Sequence, residues 1–302
     1  MSSPKNTVAH GLVTRWKWLD AFADLFGAIV GGFYKLPGTG PIKTLLHGTW
    51  PLRHPLHPLV TDATVGGYTA LVAVDLFILV TGETALVRVA DFLLVASFVT
   101  SLASIVSGLT DWNETYGEER RTGMLHGLLM LVASILFLAS LWLRVGGAAD
   151  QRTTAVAIST VAWLILAVAA YFGGEMVFGY GTEVNRQAWV GAPAKWERLD
   201  VAASGLEDRK PVVARTKRGF DVFVAKLDGT IYAIGNTCTH AGGALNEGTW
   251  VGKDRCEIQC PLHGSRFCVK DGDVKRGPAT FGEPRLETRV NEAGSVEVRA
   301  AG

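Results

Sequence analysis

Cysteine is scarce in this 302-residue chain: there are four, at positions 238, 256, 260 and 268, and none before them. That sparsity excludes a disulfide framework of the kind that staples small secreted domains. Charge of one sign is also missing, since 29 Lys and Arg against 28 Asp and Glu leave a net +1. With no basic tract interleaved with aromatics, nucleic acid is not expected as a partner. The first ten residues, MSSPKNTVAH, have no short apolar core and no small-residue cleavage site, so no cleavable signal peptide is expected. The most informative absence is local. Residues 92–110, 122–143 and 153–174 contain no Asp, Glu, Lys or Arg, whereas residues 195–302 contain 17 basic and 15 acidic side chains. A length of about two ordinary domains therefore divides into one part suited to lipid and one suited to water.

A helix needs about 20 mainly apolar residues to cross a bilayer. Segments 89–110, 122–143 and 153–174 meet that requirement, and 59–82 meets it despite Asp62 and Asp75. Four such segments joined by short loops predict a four-helix membrane domain over 51–185, rather than buried helices of a soluble protein. Ahead of them, in an N-terminal segment spanning 1–50, residues 14–33 place apolar side chains at helical spacing with Asp20 and Asp24 between. An interfacial amphipathic helix fits this pattern, with a re-entrant helix as the rival reading. Lys and Arg concentrate before the first span, in the second loop and after the last span. That asymmetry predicts both termini on the cytoplasmic face.

After a linker at 186–194, residues 195–302 change to short alternating runs with turn signals at Asp228-Gly229 and Asp271-Gly272. They predict an all-β domain, an antiparallel sandwich or barrel. Two loops within it, NTCTHAGGAL and CPLHGSRF, each offer one Cys and one His: Cys238 with His240, and Cys260 with His263. Two thiolates on one iron and two imidazoles on the other define the Rieske variant of the [2Fe–2S] centre. Each loop must then send one ligand to each iron from a single tight turn. Gly242, Gly243 and Gly264 let the backbone come close enough to do so. A tetrahedral zinc site would also take Cys₂His₂, but zinc spacing groups cysteines with cysteines. Cys256 and Cys268 read as buried structural thiols on strands.

On these motifs, residues 195–302 resemble Rieske ferredoxins and the Rieske domains of oxygenase systems. The resemblance implies an electron-transfer role, with the imidazole edges of His240 and His263 presented to solvent and to partners. Two departures carry meaning. Rieske subunits of quinol-oxidising complexes generally have an extra cysteine in each loop that form a disulfide; here Gly243 and Leu262 stand at those positions. High-potential members also have a tyrosine hydroxyl near a cluster sulfur. Ser265 is retained here, but Phe267 replaces that tyrosine, which predicts a potential in the lower Rieske range.

Residues 50–185, with RHPLHPLVTD before the first span, GLTDW, RTGMLHGLL and YFGGEMVFGYG, resemble a bacterial four-helix membrane family, the domain of unknown function 2231. This implies a multi-pass protein of the bacterial cell membrane but no activity. Relatives in this family commonly carry a histidine in the segment after the last span, where this chain has Tyr180. The predicted topology puts His54, His57, His126, Asp62, Asp111 and Glu175 near one end of the bundle. Ionisable groups inside a membrane default to a functional hypothesis. His57 with His126 is the preferred axial pair for a b-type haem. A quinone pocket is the alternative, and the plain one is that the histidines cap helices or bond Asp111 or Asp62.

The leading expectation is a membrane-anchored electron-transfer component of an oxidoreductase system. It would pass single electrons between a partner redox protein, a reductase or oxygenase component, and a membrane or soluble acceptor. The alternative is a membrane reductase whose cluster exchanges electrons with haem or quinone in the bundle, and the minor one a redox sensor. A fused oxygenase site, needing two His and a carboxylate, is not expected, because no histidine follows His263. The sequence leaves a homo-oligomer open as a further partner class.

Overall fold

In the computed structural model, residues 7–146, 151–252 and 256–301 are described, and they divide into two units. The first contains residues 7–40 and 56–182, and the second residues 41–55 together with 183–301.

The first unit is helical. A short α1 (Val8–Val13) leads to α2 (Leu19–Tyr34), and after the short α3 (Gly40–Leu46) come four long apolar helices: α4 (Leu56–Thr81), α5 (Val87–Trp112), α6 (Gly117–Gly146) and α7 (Arg152–Gly174). A π-helical turn at Glu175–Tyr180 extends α7. Each long helix coincides with one of the four expected spans: α5, α6 and α7 contain theirs, and α4 starts three residues before its span and stops one residue short of its end. Large apolar side chains such as Phe77, Phe92, Trp142 and Val145 stay exposed on this unit, as a lipid-facing surface requires.

Inside, the helices pack through small residues and aromatic stacking. A Cβ on Gly67 of α4 would collide with Ser97 Oγ on α5, so the two backbones are held close. Tyr68 and Phe137 stack with centroids 3.6 Å apart. Asp75, a charge within a span, is answered by Arg144 of α6, whose guanidinium donates to both of its carboxylate oxygens. Both side chains are 1% exposed. Arg144 and Arg152 also bond Asp91.

The amphipathic helix expected over 14–33 begins later, at Leu19, because residues 14–18 form turns. Leu19 and Ala23 pack against Trp112, Met124 and Leu125, and Asp20 pairs with Arg121. Trp18, Phe22, Leu25, Ile29 and Phe33 point outward, leaving an apolar stripe that suits an interface with lipid.

The second unit is antiparallel β. Its six-stranded sheet has the order β1 (Glu197–Ala202), β10 (Ser295–Ala300), β9 (Arg285–Val290), β4 (Thr230–Gly235), β3 (Asp221–Leu227), β2 (Val212–Arg215). A four-stranded sheet runs β5 (Thr249–Val251), β6 (Glu257–Gln259), β7 (Arg266–Cys268), β8 (Val274–Arg276). Alternation sorts β3 between two cores. Phe223, Ala225 and Leu227 meet Ile258 and Phe267, while Val222 and Val224 meet Val296 and Val298 on the other face. The expected Asp228-Gly229 turn joins β3 to β4, with both residues at positive φ.

The structure draws the boundaries differently from the composition. Residues 186–194, expected as a linker, are built into the β unit: the Arg186 N–H donates to the Thr239 carbonyl, and Gln187 is buried. Residues 41–55 join the same unit. Thr49 Oγ1 donates to the Ala279 carbonyl at 2.9 Å, and Arg53 pairs with Asp273. Polar groups that a free linker would leave to water find protein partners here, and composition does not register such distant pairing.

Candidate metal centre

Two loops of the β unit repeat one backbone device. In the first, the Cys238 N–H donates to the Gly243 carbonyl and the Gly242 N–H returns to the Cys238 carbonyl. In the second, the Cys260 N–H donates to the Ser265 carbonyl and the Gly264 N–H returns to Cys260. Gly242 and Gly264 adopt φ of +81° and +76°, where a side chain would be strained. Each turn folds tightly enough for its Cys and His to diverge from one short stretch.

The four candidate ligands meet in like pairs. The Cys238 and Cys260 thiols are hydrogen-bonded to each other, and the His240 and His263 rings lie edge to face with centroids 4.8 Å apart. Two sulfurs on one side and two imidazoles on the other is the division that a Rieske centre needs. Cys260 is drawn down to about 6, first by the Cys238 S–H and then by the Leu262 and His263 N–H groups, against the effect of burial. Cys238, which donates that S–H, is pushed up, and its burial adds to the shift. His240 is held neutral, its basicity lowered by burial and by neighbouring His263, His47, Arg186 and Lys43. A neutral imidazole and a ready thiolate are ligand forms.

These residues fit a [2Fe–2S] cluster on two further observations. His240 Nδ1 is buried with no hydrogen-bond partner among the described residues, while its Nε2 faces Glu183 at 3.8 Å. A ligand histidine anchored through one nitrogen presents the other to metal in this way. Gly243 completes the cradle, since a Cβ there would lie 2.8 Å from Cys260 Sγ and 3.0 Å from Leu262 Cγ.

Of the surrounding residues singled out in the sequence, Ser265 is fully buried and its Oγ accepts the Ala279 N–H, which leaves its hydroxyl proton free to donate. Phe267 is fully buried in the core that contains Cys238 and Cys260. Gly243 and Leu262 are neighbours, as the positions of an absent disulfide would be. Cys256 and Cys268 are buried; Cys268 ends β7 and Cys256 lies just before β6.

The expectation that both imidazole edges face solvent needs correction. The His240 side chain is only 8% exposed, and both ring nitrogens of His263 are shielded. Glu183, Arg186 and the 41–55 segment stand around the loops and account for the enclosure of His240. Pro261 and Leu262 form the exposed tip instead.

Short motifs also gave no signal for Glu283. It lies 44 positions from Thr239 yet accepts the Thr239 N–H at 2.7 Å, between two ligands, and Gln187 holds its other oxygen. Burial raises its carboxyl to about 8.

In the helical unit the structure brings His57 and His126 together, with ring centroids 6.4 Å apart. Asp62 is exposed on α4, Asp111 is buried in the last turn of α5, and Glu175 accepts a hydrogen bond from Thr7. His54 belongs to the β unit, with Nδ1 facing the Pro55 carbonyl. His126 Nδ1 is satisfied by the Ala169 carbonyl, not by a carboxylate.

An antiparallel β domain with paired Cys and His turns is the architecture of a Rieske iron–sulfur protein. Residues 198–287 match the family described as Rieske [2Fe-2S] domain, and the chain belongs to that family. Residues 53–186 match the family described as Predicted membrane protein (DUF2231). Over 86 residues the chain is 36% identical to the ferredoxin component of the naphthalene 1,2-dioxygenase system of Pseudomonas putida, covering 28% of this chain and 78% of that one. It is 34% identical over 88 residues to the 3-phenylpropionate/cinnamic acid dioxygenase ferredoxin subunit of Shigella boydii, covering 29% and 71%. Among solved structures, the ferredoxin of carbazole 1,9a-dioxygenase from Nocardioides aromaticivorans is matched at 26% identity, with a TM-score of 0.32, 36% of this chain and all of that one.

Proposed function

We propose that this protein is a membrane-anchored carrier of single electrons, docking a soluble or membrane-bound redox partner at its β unit. The observation that carries the reading is the pairing of Cys238 with Cys260 and His240 with His263 on two equivalent turns. A bound Rieske cluster supplies a one-electron couple and nothing more. The protein's own residues do the rest. Backbone N–H groups of His240, Leu262 and His263 aim at the ligand sulfurs and stabilise negative charge there. Phe267, Ile258 and Leu245 exclude water from the sulfur side. Exposed Leu262 gives a partner an apolar contact beside a ligand loop.

The relatives named above serve dioxygenase systems, which supports a reductase or an oxygenase component as the partner class. The cytoplasmic placement of both termini rests on the Lys and Arg asymmetry. Redox titration of the detergent-purified full chain tests the carrier reading. A reversible one-electron wave, lost in Cys260→Ser, is expected. A wave that persists in that variant, or stoichiometric zinc without any wave, contradicts it.

A further inference from the structure

His57 and His126 occupy equivalent places in two helix hairpins. His57 on α4 faces α5, where its Nδ1 lies 2.9 Å from the Ser104 carbonyl and its ring packs against Gly108, four residues on. His126 on α6 faces α7, where its Nδ1 lies 2.8 Å from the Ala169 carbonyl and its ring packs against Gly173, again four residues on. A Cβ at Gly108 would come within 2.7 Å of the first ring, and one at Gly173 within 3.1 Å of the second. The bundle therefore contains the same histidine, carbonyl and glycine arrangement twice.

The carbonyls fix the tautomers. An oxygen of that kind only accepts, so both Nδ1 atoms carry hydrogen and both Nε2 atoms hold a lone pair. Neither Nε2 has a hydrogen-bond partner among the described residues. An imidazole anchored through Nδ1 to a backbone carbonyl, with Nε2 free, is the state of a metal-ligating histidine. Two imidazoles within membrane-spanning helices are costly without a ligand.

The separation selects the ligand. A metal–nitrogen bond of about 2.0 Å plus about 1.1 Å from nitrogen to ring centre places two trans imidazoles about 6.2 Å apart. The observed separation is 6.4 Å, with the rings crossed at 87°. Tetrahedral ligation of one ion would bring the rings closer, to about 5 Å by the same geometry. No third Cys, His, Asp or Glu joins the pair among the described residues. Two imidazoles at this separation, with no third protein ligand among the described residues, fit a metal already held in a macrocycle.

We infer that His57 and His126 form a bis-imidazole site for one b-type haem in the helical unit, independent of the cluster reading. The full chain, expressed with a haem precursor and purified in detergent, is examined by reduced-minus-oxidised spectroscopy, pyridine haemochrome assay and EPR. One haem per chain with a low-spin ferric signal and a b-type α-band is expected. His57→Ala and His126→Ala each abolish the low-spin signal, and Gly173→Leu, which crowds the His126 ring, does the same. Retention of the Rieske EPR signal and a monodisperse elution profile show that these variants fold. Cys238→Ser removes the Rieske signal and leaves the α-band intact, so failure of one site is distinguishable from failure of the other. A chain that carries a full cluster but no haem overturns the inference. So does haem whose spectrum is unchanged in both histidine variants, or an extractable quinone that disappears in His57→Ala.

Discussion

Phe267 lies fully buried among the residues that enclose both ligand cysteines, and it presents no hydroxyl to them. A hydrogen bond to a cluster sulfur favours the reduced, more negative state. Phe267→Tyr adds such a donor and is expected to raise the reduction potential by on the order of 50 mV, read by EPR-monitored titration. An unchanged or lowered potential would show that position 267 does not address the sulfurs. Glu283 makes a second claim at this scale. Its carboxyl is raised to about 8 in the fold, from an ordinary 4.5, because burial favours the neutral form. The stability it confers is complete below about pH 4.5 and is lost as pH rises through 8. The thermal midpoint for cluster loss is therefore expected to fall between pH 5 and 8. Glu283→Gln, which still accepts the Thr239 N–H, should flatten that slope. The four candidate ligands were legible from spacing alone, because each pair lies within four residues of chain. Glu283, Gln187 and Glu183 were not, since their partners lie 44 to 96 positions away.

Among the elements, the long helices were legible because lipid imposes a composition that runs of apolar residues reveal directly. Their internal pairing was not. Asp75 reads as an isolated cost within the first span, yet the fold places Arg144 against it, with Arg152 and Asp91 adjoining. Removing one member of a buried pair leaves an uncompensated charge and costs about 3–5 kcal/mol. Arg144→Met is expected to lower the thermal midpoint in detergent sharply, and Arg144→Met with Asp75→Leu to recover most of the loss. Equal loss in the single and double variants would mean that the pair does not act as a unit. The strands of the β unit were readable from alternation and turn residues. The burial of His240 was hidden, because the residues around it come from 41–55 and 183–186, outside the segment whose pattern announced the domain.

For the whole molecule, the sequence separated a lipid part from an aqueous part, and the structure returns a helical and a β unit with exchanged boundary segments. The chain crosses from one unit to the other three times, at residues 40–41, 55–56 and 182–183. Composition marks only the last of these crossings, because residues 41–55 are neither long nor apolar enough to announce a partner. The orientation expected in the bilayer rests on charge alone. A cytoplasm-active reporter fused after Gly302 is expected to work, and activity of a periplasm-dependent reporter there would reverse the topology. The central claim is that Cys238, His240, Cys260 and His263 hold a [2Fe–2S] cluster. Low-temperature EPR of the dithionite-reduced full chain tests it most directly. A rhombic Rieske signal with average g below the free-electron value, accounting for one cluster per chain and absent in Cys238→Ser, is the predicted result. An EPR-silent protein containing stoichiometric zinc would contradict it.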